Sequence, residues 1–464
     1  MNRSSSGMSR SAKASGWIAI VWFLASGSTA VAQPGPAKEH WVASWSTAAV
    51  LRPQPGSSAA PAQQQPAQPA SQTPQAPAPP PIILNNQTVR QIVHLSTGGM
   101  GARVVLANTF GTAPLTIGAA SIALRDKDAK IVAVSAHALT FGGRSSVTIP
   151  AGAVMFSDAA RITAPALGDL VIDLFIPEDL TKSASPLTIH SAANQTNYIS
   201  TPGNFTGAAD LPVASKLQSW LFLASVEVSA PQEVRAVVTF GDSITDGTRS
   251  TPDGNARWPD ELAKRLTAKN GSVRAVVNTG IAANRVLGET SAPVFPFGFN
   301  AGVNALARFD RDVLGQTGVT HVIVLEGIND IQLARQNPSP SAEDLIAAHE
   351  QMIERAHAHG LKIFGATLLP FEGAAYFTSE GEAKRQAFNN WLRGTKAYDG
   401  VIDFDVVVRD PANLSKILPR YDSGDHLHPN DAGYQAMGDA IDLTLLETAS
   451  TQGTGKSKKQ RVAR

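Results

Sequence analysis

Hydrophobic and polar positions follow two different patterns, one on each side of Pro231. Between Ile82 and Pro231, short runs rich in β-branched residues are separated by clusters of Gly, Pro, Asn and Asp; the runs are VRQIVHLS, ARVVLANTF, LVIDLFI and WLFLASVEV. Short strands joined by such turns are typical of a β-sandwich or jelly roll. This part of the sequence has no helical period and no internal repeat. We therefore predict an all-β domain at residues 33–231.

After Pro231, strand-like runs alternate with helix-like stretches. The strand-like runs are RAVVTF, VRAVVNTG, THVIVLEG, LKIFGATLLP and GVIDFDVV, and the helix-like stretches include WPDELAKRLTAK, SAEDLIAAHEQMIERAHAHG and DAGYQAMGDAIDLTLLE. This alternation favours a mostly parallel sheet with helices on both faces. Such α/β folds place their chemistry at the carboxyl edge of the sheet. The sequence thus predicts a second, α/β domain at residues 232–449.

Residues 1–32 have the composition of a cleavable export signal. Basic residues precede the short apolar run WIAIVWFLA, and AVAQ offers a cleavage site after Ala32. The apolar run is shorter than a membrane span usually requires, although a retained anchor helix is the alternative. No later segment has the hydrophobicity of a spanning helix. We therefore expect a secreted or periplasmic protein without stable membrane insertion.

Two other segments have biased compositions. Residues 53–81 are almost wholly Pro, Ala, Gln and Ser, which favours extended, solvated conformations. The preceding HWVASWSTAAV is too short for a domain but has strand character, so we interpret residues 53–81 as a disordered insertion in a surface loop of the β domain. Residues 450–464 are polar and basic, which predicts a flexible tail.

Composition excludes several classes of function. The 39 basic and 38 acidic residues give a formal charge of +1, so there is no bulk electrostatic attraction to nucleic acid. The 464 residues contain no cysteine, which excludes disulfides, thiolate catalysis and cysteine-ligated zinc. The sequence also lacks a P-loop, a dinucleotide-binding fingerprint and an HExxH motif.

A candidate nucleophile lies in RAVVTFGDSITDG, where a strand-like run ends in Gly-Asp-Ser and places Ser243 at the sheet edge. A serine hydroxyl reacts only when a base, a carboxylate that orients the base, and donors for an oxyanion surround it. The loop YDSGDHLHPND carries Asp425 and His428 three residues apart, so one loop can supply the carboxylate and the base. Ordinary turn and capping sequences look similar, and on this motif alone that alternative stays open.

The other histidines lack this context. Three lie in one long amphipathic stretch, one opens a strand-like run, and four lie in the β-rich part without a carboxylate pattern beside them: His349, His357, His359, His321, His40, His94, His137 and His190. We interpret the three in the amphipathic stretch as surface or packing residues.

Oxyanion donors are expected at the ends of two further strand-like runs. VIVLEGIND ends with Asn329, whose amide can donate a hydrogen bond, although an Asn-Asp turn that bonds its own backbone is the alternative. VVNTGIAANRVL ends similarly, and its loop can offer a backbone N–H. Each motif is weak alone, but their order along one α/β pattern is difficult to attribute to chance.

The segment from Val234 to Leu446 resembles the SGNH (GDSL) hydrolases, a family of serine esterases and lipases with a flavodoxin-like α/β/α fold. GDSIT, GIND and DHLHP are similar to three blocks of that family. The resemblance implies that Ser243 is the nucleophile and donates its own N–H to the oxyanion, and that Asn329 is a second donor. It implies Asp425 as the orienting carboxylate, His428 as the base, and no cofactor.

One block departs from the family pattern N-x-G-I-x-G-N. The sequence here is NTGIAAN, which places Ala283 where the glycine is expected and Gly280 three positions earlier. An alanine can still offer its N–H if its φ is below zero. The resemblance therefore implies Ala283 as the third oxyanion donor. His426 falls at a variable position of the DHLHP block and is not expected to be catalytic.

The resemblance extends upstream. HWVASW, QTVRQIVHLSTGG, RVVLANTFG and LTFGG resemble the β-rich N-terminal region of a bacterial subgroup similar to arylesterase/acylhydrolases encoded among xylan-degrading enzymes. This implies an exported esterase acting on short-chain, above all acetyl, esters of small molecules or plant cell-wall polysaccharide. A lipase or arylesterase, a transacylase, and a carbohydrate-binding protein with an inactive hydrolase scaffold stay open. The oligomeric state also stays open. The role of SAPVFPFGFN is open as well: it could wall a small acyl pocket with Phe295, Phe297 and Phe299, or it could pack as core.

Overall fold

A computed structural model of the chain describes residues 39–54, 82–289, 301–332 and 339–447. The predicted export signal, nearly all of the Pro-rich insertion, the basic tail and the aromatic segment at 291–300 lie outside the described residues. From residue 39 onward the described chain forms one continuous unit. In that part of the chain, no helix combines the length and the apolar character that crossing a membrane requires.

The β-rich part consists of antiparallel strands. They are β1 (Glu39–Ser46), β2 (Val50–Arg52), β3 (Asn85–His94), β4 (Ala102–Ala107), β5 (Leu115–Ile117), β6 (Ala119–Leu124), β7 (His137–Leu139), β8 (Val147–Ile149), β9 (Val154–Phe156), β10 (Asp169–Asp179), β11 (Leu187–Ser191), β12 (Asn197–Pro202), β13 (Val213–Leu217), β14 (Ser219–Leu221) and β15 (Leu223–Pro231). The two larger sheets have the strand orders β1-β15-β4-β9 and β13-β12-β3-β10-β6-β7. Two smaller sheets have the orders β14-β11-β2 and β5-β8.

The two larger sheets share one apolar core. Alternate residues of β10, among them Leu170 and Ile172, belong to this core. Val104 of β4 and Val226 of β15 belong to it as well. The intervening Val171 belongs to a separate cluster on the outer face of the six-stranded sheet. This period of two is that of a β-strand, whose successive side chains point to opposite faces of the sheet. The prediction of an all-β N-terminal region is confirmed.

A five-stranded parallel sheet forms the centre of the second part. Its strands are β16 (Arg235–Gly241), β17 (Val273–Gly280), β18 (Val319–Leu325), β19 (Lys362–Ala366) and β20 (Gly400–Ile402), and their order is β17-β16-β18-β19-β20. This is the order 2-1-3-4-5 of flavodoxin-like folds, in which ligands bind at the carboxyl edge beside the first strand. The predicted α/β fold is confirmed.

Helices cover the parallel sheet. They are α1 (Ser243–Asp246), α2 (Trp258–Lys269), α3 (Ala305–Phe309), α4 (Ile328–Gln332), α5 (Ala342–Ala358), α6 (Ser379–Gly394), α7 (Phe404–Val408) and α8 (Asp431–Ala440). A π-helical turn (Asp310–Leu314) continues α3, and 3₁₀ turns lie at Ala133–Ser135, Leu180–Lys182 and Leu443–Leu446. A small hairpin, β21 (Arg409–Asp410) and β22 (Asn413–Ile417), precedes the last loop.

Two predicted elements differ from the structure. GVIDFDVV was expected to be one strand, but it forms β20 and then α7, because the Asp403 side chain accepts from the Val406 N–H and caps a helix there. The final helix-like stretch ends earlier than expected: α8 stops at Ala440, and a 3₁₀ turn follows in which Asp442 accepts from the Thr444 N–H. In both places a short aspartate side chain competes for backbone donors.

Strand β1 joins the two parts of the molecule. Val42 contacts the core of the β-rich part, whereas the adjacent Ala43 contacts the core of the α/β part. The Ala43 N–H donates to the Thr317 carbonyl (2.9 Å), and the Thr317 hydroxyl donates to Glu227 (2.6 Å) in β15. The two regions therefore share buried apolar and polar contacts.

Candidate active site

Ser243 is the first residue of α1, directly after the turn that ends β16. Asp242 caps this helix, since its side chain accepts from the Ile244 N–H (2.9 Å). The turn is tight: a Cβ on Gly241 would collide with the Leu325 carbonyl of the neighbouring strand. Only glycine fits at position 241. The tight turn places Ser243 at the carboxyl edge of the sheet, where 6% of its surface is exposed.

The loop between β22 and α8 brings His428 and Asp425 to Ser243. The His428 Nε2 lies 2.9 Å from the Ser243 Oγ, and its Nδ1 lies 2.9 Å from the Asp425 Oδ2. The other oxygen of Asp425 accepts from the backbone N–H groups of His428 (2.9 Å) and Leu427 (3.1 Å). One short loop thus supplies both side chains, and the three predicted residues form a continuous hydrogen-bonded line.

The carboxylate of Asp425 is held in its ionised form. Burial on its own would raise the pKa of Asp425, but the hydrogen bond and charge of His428 and the backbone N–H donors lower it well below its usual range. The Arg249 Nε also donates to the Asp425 Oδ2 (3.0 Å), although the Arg249 side chain is more than half exposed. An ionised Asp425 keeps a proton on His428 Nδ1 and leaves Nε2 free to act as a base toward Ser243.

The predicted oxyanion donors lie at the same sheet edge. Asn329 is buried in the first turn of α4, and its Nδ2 donates to the carbonyl of Asn284 (2.9 Å). That carbonyl belongs to the loop that carries Ala283. The loop is anchored at Ile281, whose N–H donates to the carbonyl of Gly241 (3.0 Å) beside the nucleophile.

Ala283 has a φ of +63°. The expectation that it would have φ below zero is therefore wrong. The position is in the left-handed region, which glycine adopts without strain and an alanine adopts at a cost of about 1–2 kcal/mol. This explains why the family pattern has a glycine here. Alanine and glycine both carry a backbone N–H, so the departure changes backbone strain rather than the kind of donor.

Arg308 of α3 is a buried residue that the sequence analysis did not identify. Its guanidinium donates to the carbonyls of Gly241 (2.8 Å) and Thr279 (2.7 Å) and to the Asn284 side chain (2.8 Å). It also lies 4.0 Å from the centre of the Phe240 ring. One side chain thus ties the ends of β16 and β17 to the loop of Ala283. Its local partner, Asp312 (3.2 Å), forms an ordinary i,i+4 pair, and its other partners are distant in sequence, so no local motif marks it.

Three buried carboxyl groups lie just beyond the carboxyl ends of β16 and β18: Asp242, Glu326 and Asp330. Burial raises the pKa of Asp242 to about 7 and that of Asp330 to about 6, and it raises the pKa of Glu326 well above its ordinary range. The Asp330 carboxyl also accepts from the N–H groups of Val286 (2.7 Å) and Leu287 (2.9 Å), which follow the Ala283 loop.

Three other histidines that the sequence analysis considered have partners other than Ser243. His426 is half exposed and contacts Asp422 rather than Ser243. His349 is buried and hydrogen-bonded to the Tyr398 hydroxyl (2.6 Å), so it is a packing residue. His190, which was set aside for want of a carboxylate pattern, lies 3.0 Å from Asp246. That partner is 56 residues away in the sequence, so no local pattern could have indicated it.

The profile of the "GDSL-like Lipase/Acylhydrolase family" matches residues 239–436, from the nucleophile strand into α8. The chain carries a GDSL-like lipase/acylhydrolase domain. By this domain the protein is a carboxylic ester hydrolase, and the resemblance noted from the motifs is confirmed. No curated protein matches this chain.

Solved structures to which part of this chain is similar include the following three. The M. smegmatis aryl esterase is 18% identical over 45% of this chain and 96% of its own, with a TM-score of 0.34. A carbohydrate acetylesterase family member from Sinorhizobium meliloti is 15% identical over 46% of this chain and 99% of its own, with a TM-score of 0.37. A GDSL-like lipase from Bacteroides thetaiotaomicron VPI-5482 is 20% identical over 46% of this chain and 88% of its own, with a TM-score of 0.31.

Proposed function

We propose that the protein hydrolyses short-chain carboxylic esters through a Ser243–His428–Asp425 triad and an acyl-enzyme. The observation that carries this proposal is the hydrogen-bonded line from the Ser243 Oγ through the imidazole of His428 to Asp425, with 2.9 Å at each step. This is the arrangement that converts an inert hydroxyl into a nucleophile.

In the proposed first half-reaction, the Ser243 Oγ attacks the ester carbonyl carbon and its proton passes to the His428 Nε2. The tetrahedral intermediate then expels the alcohol, which takes that proton from His428. In the second half-reaction, His428 removes a proton from water, whose oxygen attacks the acyl carbon. The intermediate then releases the carboxylic acid, and the Ser243 Oγ takes the proton back from His428. Asp425 stays ionised throughout and stabilises the imidazolium.

Negative charge develops on the carbonyl oxygen in both half-reactions. We propose that it is stabilised by the backbone N–H groups of Ser243 and Ala283 and by the Asn329 amide. Support comes from their common position at the carboxyl ends of three adjacent strands, where Arg308 and Asn329 both contact the Ala283 loop. Donors fixed in advance by such contacts stabilise an oxyanion without further reorganisation.

Replacing Ser243 or His428 by Ala tests the mechanism. We expect each substitution to lower kcat for nitrophenyl acetate on the order of 10³-fold or more, because triad residues act as a unit. His426→Ala is the matched control: this half-exposed histidine is two residues from His428 and should leave kcat nearly unchanged. Near-normal turnover by a folded Ser243→Ala variant would refute the triad.

We propose acetyl and other short acyl groups on a sugar or small alcohol as the substrate class. The support is the similarity of the N-terminal motifs to those of acylhydrolases encoded among xylan-degrading enzymes. Initial rates on nitrophenyl esters of increasing chain length, beside acetylated xylan and pectin, test this. A rate optimum at about ten or more carbons, with acetyl esters nearly inert, would favour a lipase instead. Because each extra methylene is worth only about 1 kcal/mol, we expect the preference for chain length to be graded. Acylated alcohol formed from an added acceptor would show transacylation.

We also propose that the enzyme is exported. Residues 1–32 support this by their basic start, short apolar run and small residues before the cleavage position. The intact mass of the protein recovered outside the cytoplasm is expected to correspond to a chain that begins at Gln33. Full-length protein confined to the cytoplasm would contradict the proposal.

A further inference from the structure

His190, in β11 of the β-rich part, is buried and hydrogen-bonded at both ring nitrogens. Its Nδ1 lies 2.7 Å from the carbonyl of Ala48, and its Nε2 lies 3.0 Å from the Asp246 Oδ1. Only 3% of the residue is exposed, and the Trp220 ring lies against it with 5.6 Å between ring centres. His190 is therefore fixed in position and orientation.

These contacts determine the protonation of His190. A carbonyl oxygen only accepts, so the Nδ1 must carry a proton. Burial lowers the pKa of His190, but the Asp246 charge and the hydrogen bonds to Asp246 and Ala48 outweigh it, so the pKa is raised overall. Arg257 is the other charged group that acts on the ring, and it opposes protonation more weakly. The Nε2 faces a carboxylate oxygen, which also only accepts, so the geometry places a donor proton on both ring nitrogens and makes His190 and Asp246 a buried imidazolium–carboxylate pair.

Asp246 connects this pair to the candidate active site in two ways. It is the last residue of α1, the single-turn helix whose first residue is Ser243. Its Oδ2 accepts from the backbone N–H of Ala282 (3.1 Å), and Ala282 precedes the predicted oxyanion donor Ala283. One carboxylate therefore bridges a histidine of the β-rich part and the oxyanion loop.

The segment that follows His190 also contacts the end of α1 and the loop after it. The Asn194 Nδ2 donates to the carbonyl of Gly247 (2.6 Å), which ends α1. The Gln195 side chain donates to Asp253 (2.6 Å), in the loop after α1. A four-residue helix has too few internal hydrogen bonds to hold its own position. The contacts from the β-rich part contribute to that support.

We propose that His190 is a positioning residue of the esterase, acting through Asp246 to fix the Ala282 N–H and, with it, the backbone of Ala283 at the oxyanion site. The inference rests on the proposed function of Ser243 and Ala283. Its physical basis is that an oxyanion donor loses effect when it is displaced by a fraction of an ångström. The β-rich part then contributes to the chemical step itself.

His190→Ala and His190→Gln test the inference with nitrophenyl acetate. Loss of the imidazolium should lower kcat roughly 10- to 100-fold, with KM changed less than about 3-fold, because the donors act mainly in the transition state. His190→Gln can keep an N–H toward Asp246 and should recover part of the loss. His94→Gln is the matched control: it removes another histidine–aspartate pair of the β-rich part, to Asp169 (2.7 Å), and should leave kcat unchanged.

Combining His190→Ala with Asp246→Asn tests the route of the effect. If His190 acts through Asp246, the double variant should lose no more kcat than Asp246→Asn alone. Additive losses would overturn the inference. Should His190→Ala fail to fold, His190→Gln and Asp246→Asn carry the same test.

The outcomes separate this inference from the proposed function. Unchanged kcat in folded His190→Ala and His190→Gln variants, in an enzyme whose activity depends on Ser243, overturns only the role of His190. Activity that survives Ser243→Ala overturns the proposed function instead. A rise in KM with unchanged kcat would also overturn the inference, since it would assign His190 to substrate binding.

Discussion

Two adjacent alanines in the oxyanion loop allow the backbone strain at Ala283 to be measured. Ala283 has a φ of +63°, whereas Ala282 is not among the residues of positive φ. Both residues are buried, each with 8% of its surface exposed. We predict that Ala283→Gly and Ala282→Gly will have different effects on the free energy of unfolding, although the chemical change is identical.

The size of this difference can be worked out because the two substitutions share most of their energetic contributions, which cancel in the comparison. Both substitutions delete one buried methyl group, and both increase the conformational entropy of the unfolded chain, worth about 0.5–1 kcal/mol. Only Ala283→Gly removes the cost of holding an alanine in the left-handed region, about 1–2 kcal/mol. The free energy of unfolding of Ala283→Gly should therefore exceed that of Ala282→Gly by about 1–2 kcal/mol.

Denaturant unfolding of the two variants and the wild type measures this difference, and kcat for nitrophenyl acetate is measured in parallel. Because glycine keeps the backbone N–H, we expect Ala283→Gly to retain kcat within about 3-fold. Ala192→Gly is a further control, since Ala192 has a φ of +56° but is exposed in the β-rich part. Equal free energies of unfolding for the two loop variants would refute the strain. A large loss of kcat in a stable Ala283→Gly variant would show that the methyl group shapes the loop.

Two other predictions concern the sheet edge. Asn329→Ala should lower kcat by roughly 10²–10³ with little change in KM, because its amide is proposed to bind the developing oxyanion; a change confined to KM would contradict that role. Asp242 has a pKa raised to about 7 by burial, so its ionisation opposes folding as the pH rises above the unfolded value. The stability of Asp242→Asn relative to the wild type should therefore increase between about pH 4 and about pH 7 in thermal unfolding. A difference that is constant with pH would contradict the raised pKa.

The parts of the fold that the sequence predicted correctly are those set by local periodicity. The strands of the parallel sheet and the helix WPDELAKRLTAK follow from patterns within about a dozen residues, and α2 occupies those twelve residues. The Ser243, Asn329 and Asp425–His428 motifs lie at strand ends or in the last loop, so the α/β alternation alone brings them to one edge. Helix α6 was not predicted, since its sequence is mostly polar and few of its residues are buried.

The parts that could not be predicted depend on contacts between distant residues. Arg308 reaches the carbonyl of Gly241 across 67 residues, and His190 reaches Asp246 across 56. Nothing beside either residue in the sequence distinguishes it from other buried or surface residues. The positive φ of Ala283 is also a tertiary effect, because the anchoring of Ile281 to Gly241 and of Ala282 to Asp246 imposes a conformation that alanine disfavours.

The GDSL-like domain cannot be separated from the β-rich part without exposing buried surface and losing polar contacts. Val234 and Ala236 of the α/β part contact the core of the β-rich part, and Ala43 contacts the core of the α/β part in return. The helix that begins with Ser243 is only four residues long, and it is supported by His190 through Asp246. Chemistry that needs donors fixed within about 0.5 Å requires a rigid support around the reacting groups. The proposed nucleophile stands on a short helix that its own domain holds through Asn278 and Ala282, and the β-rich part adds to this support through His190.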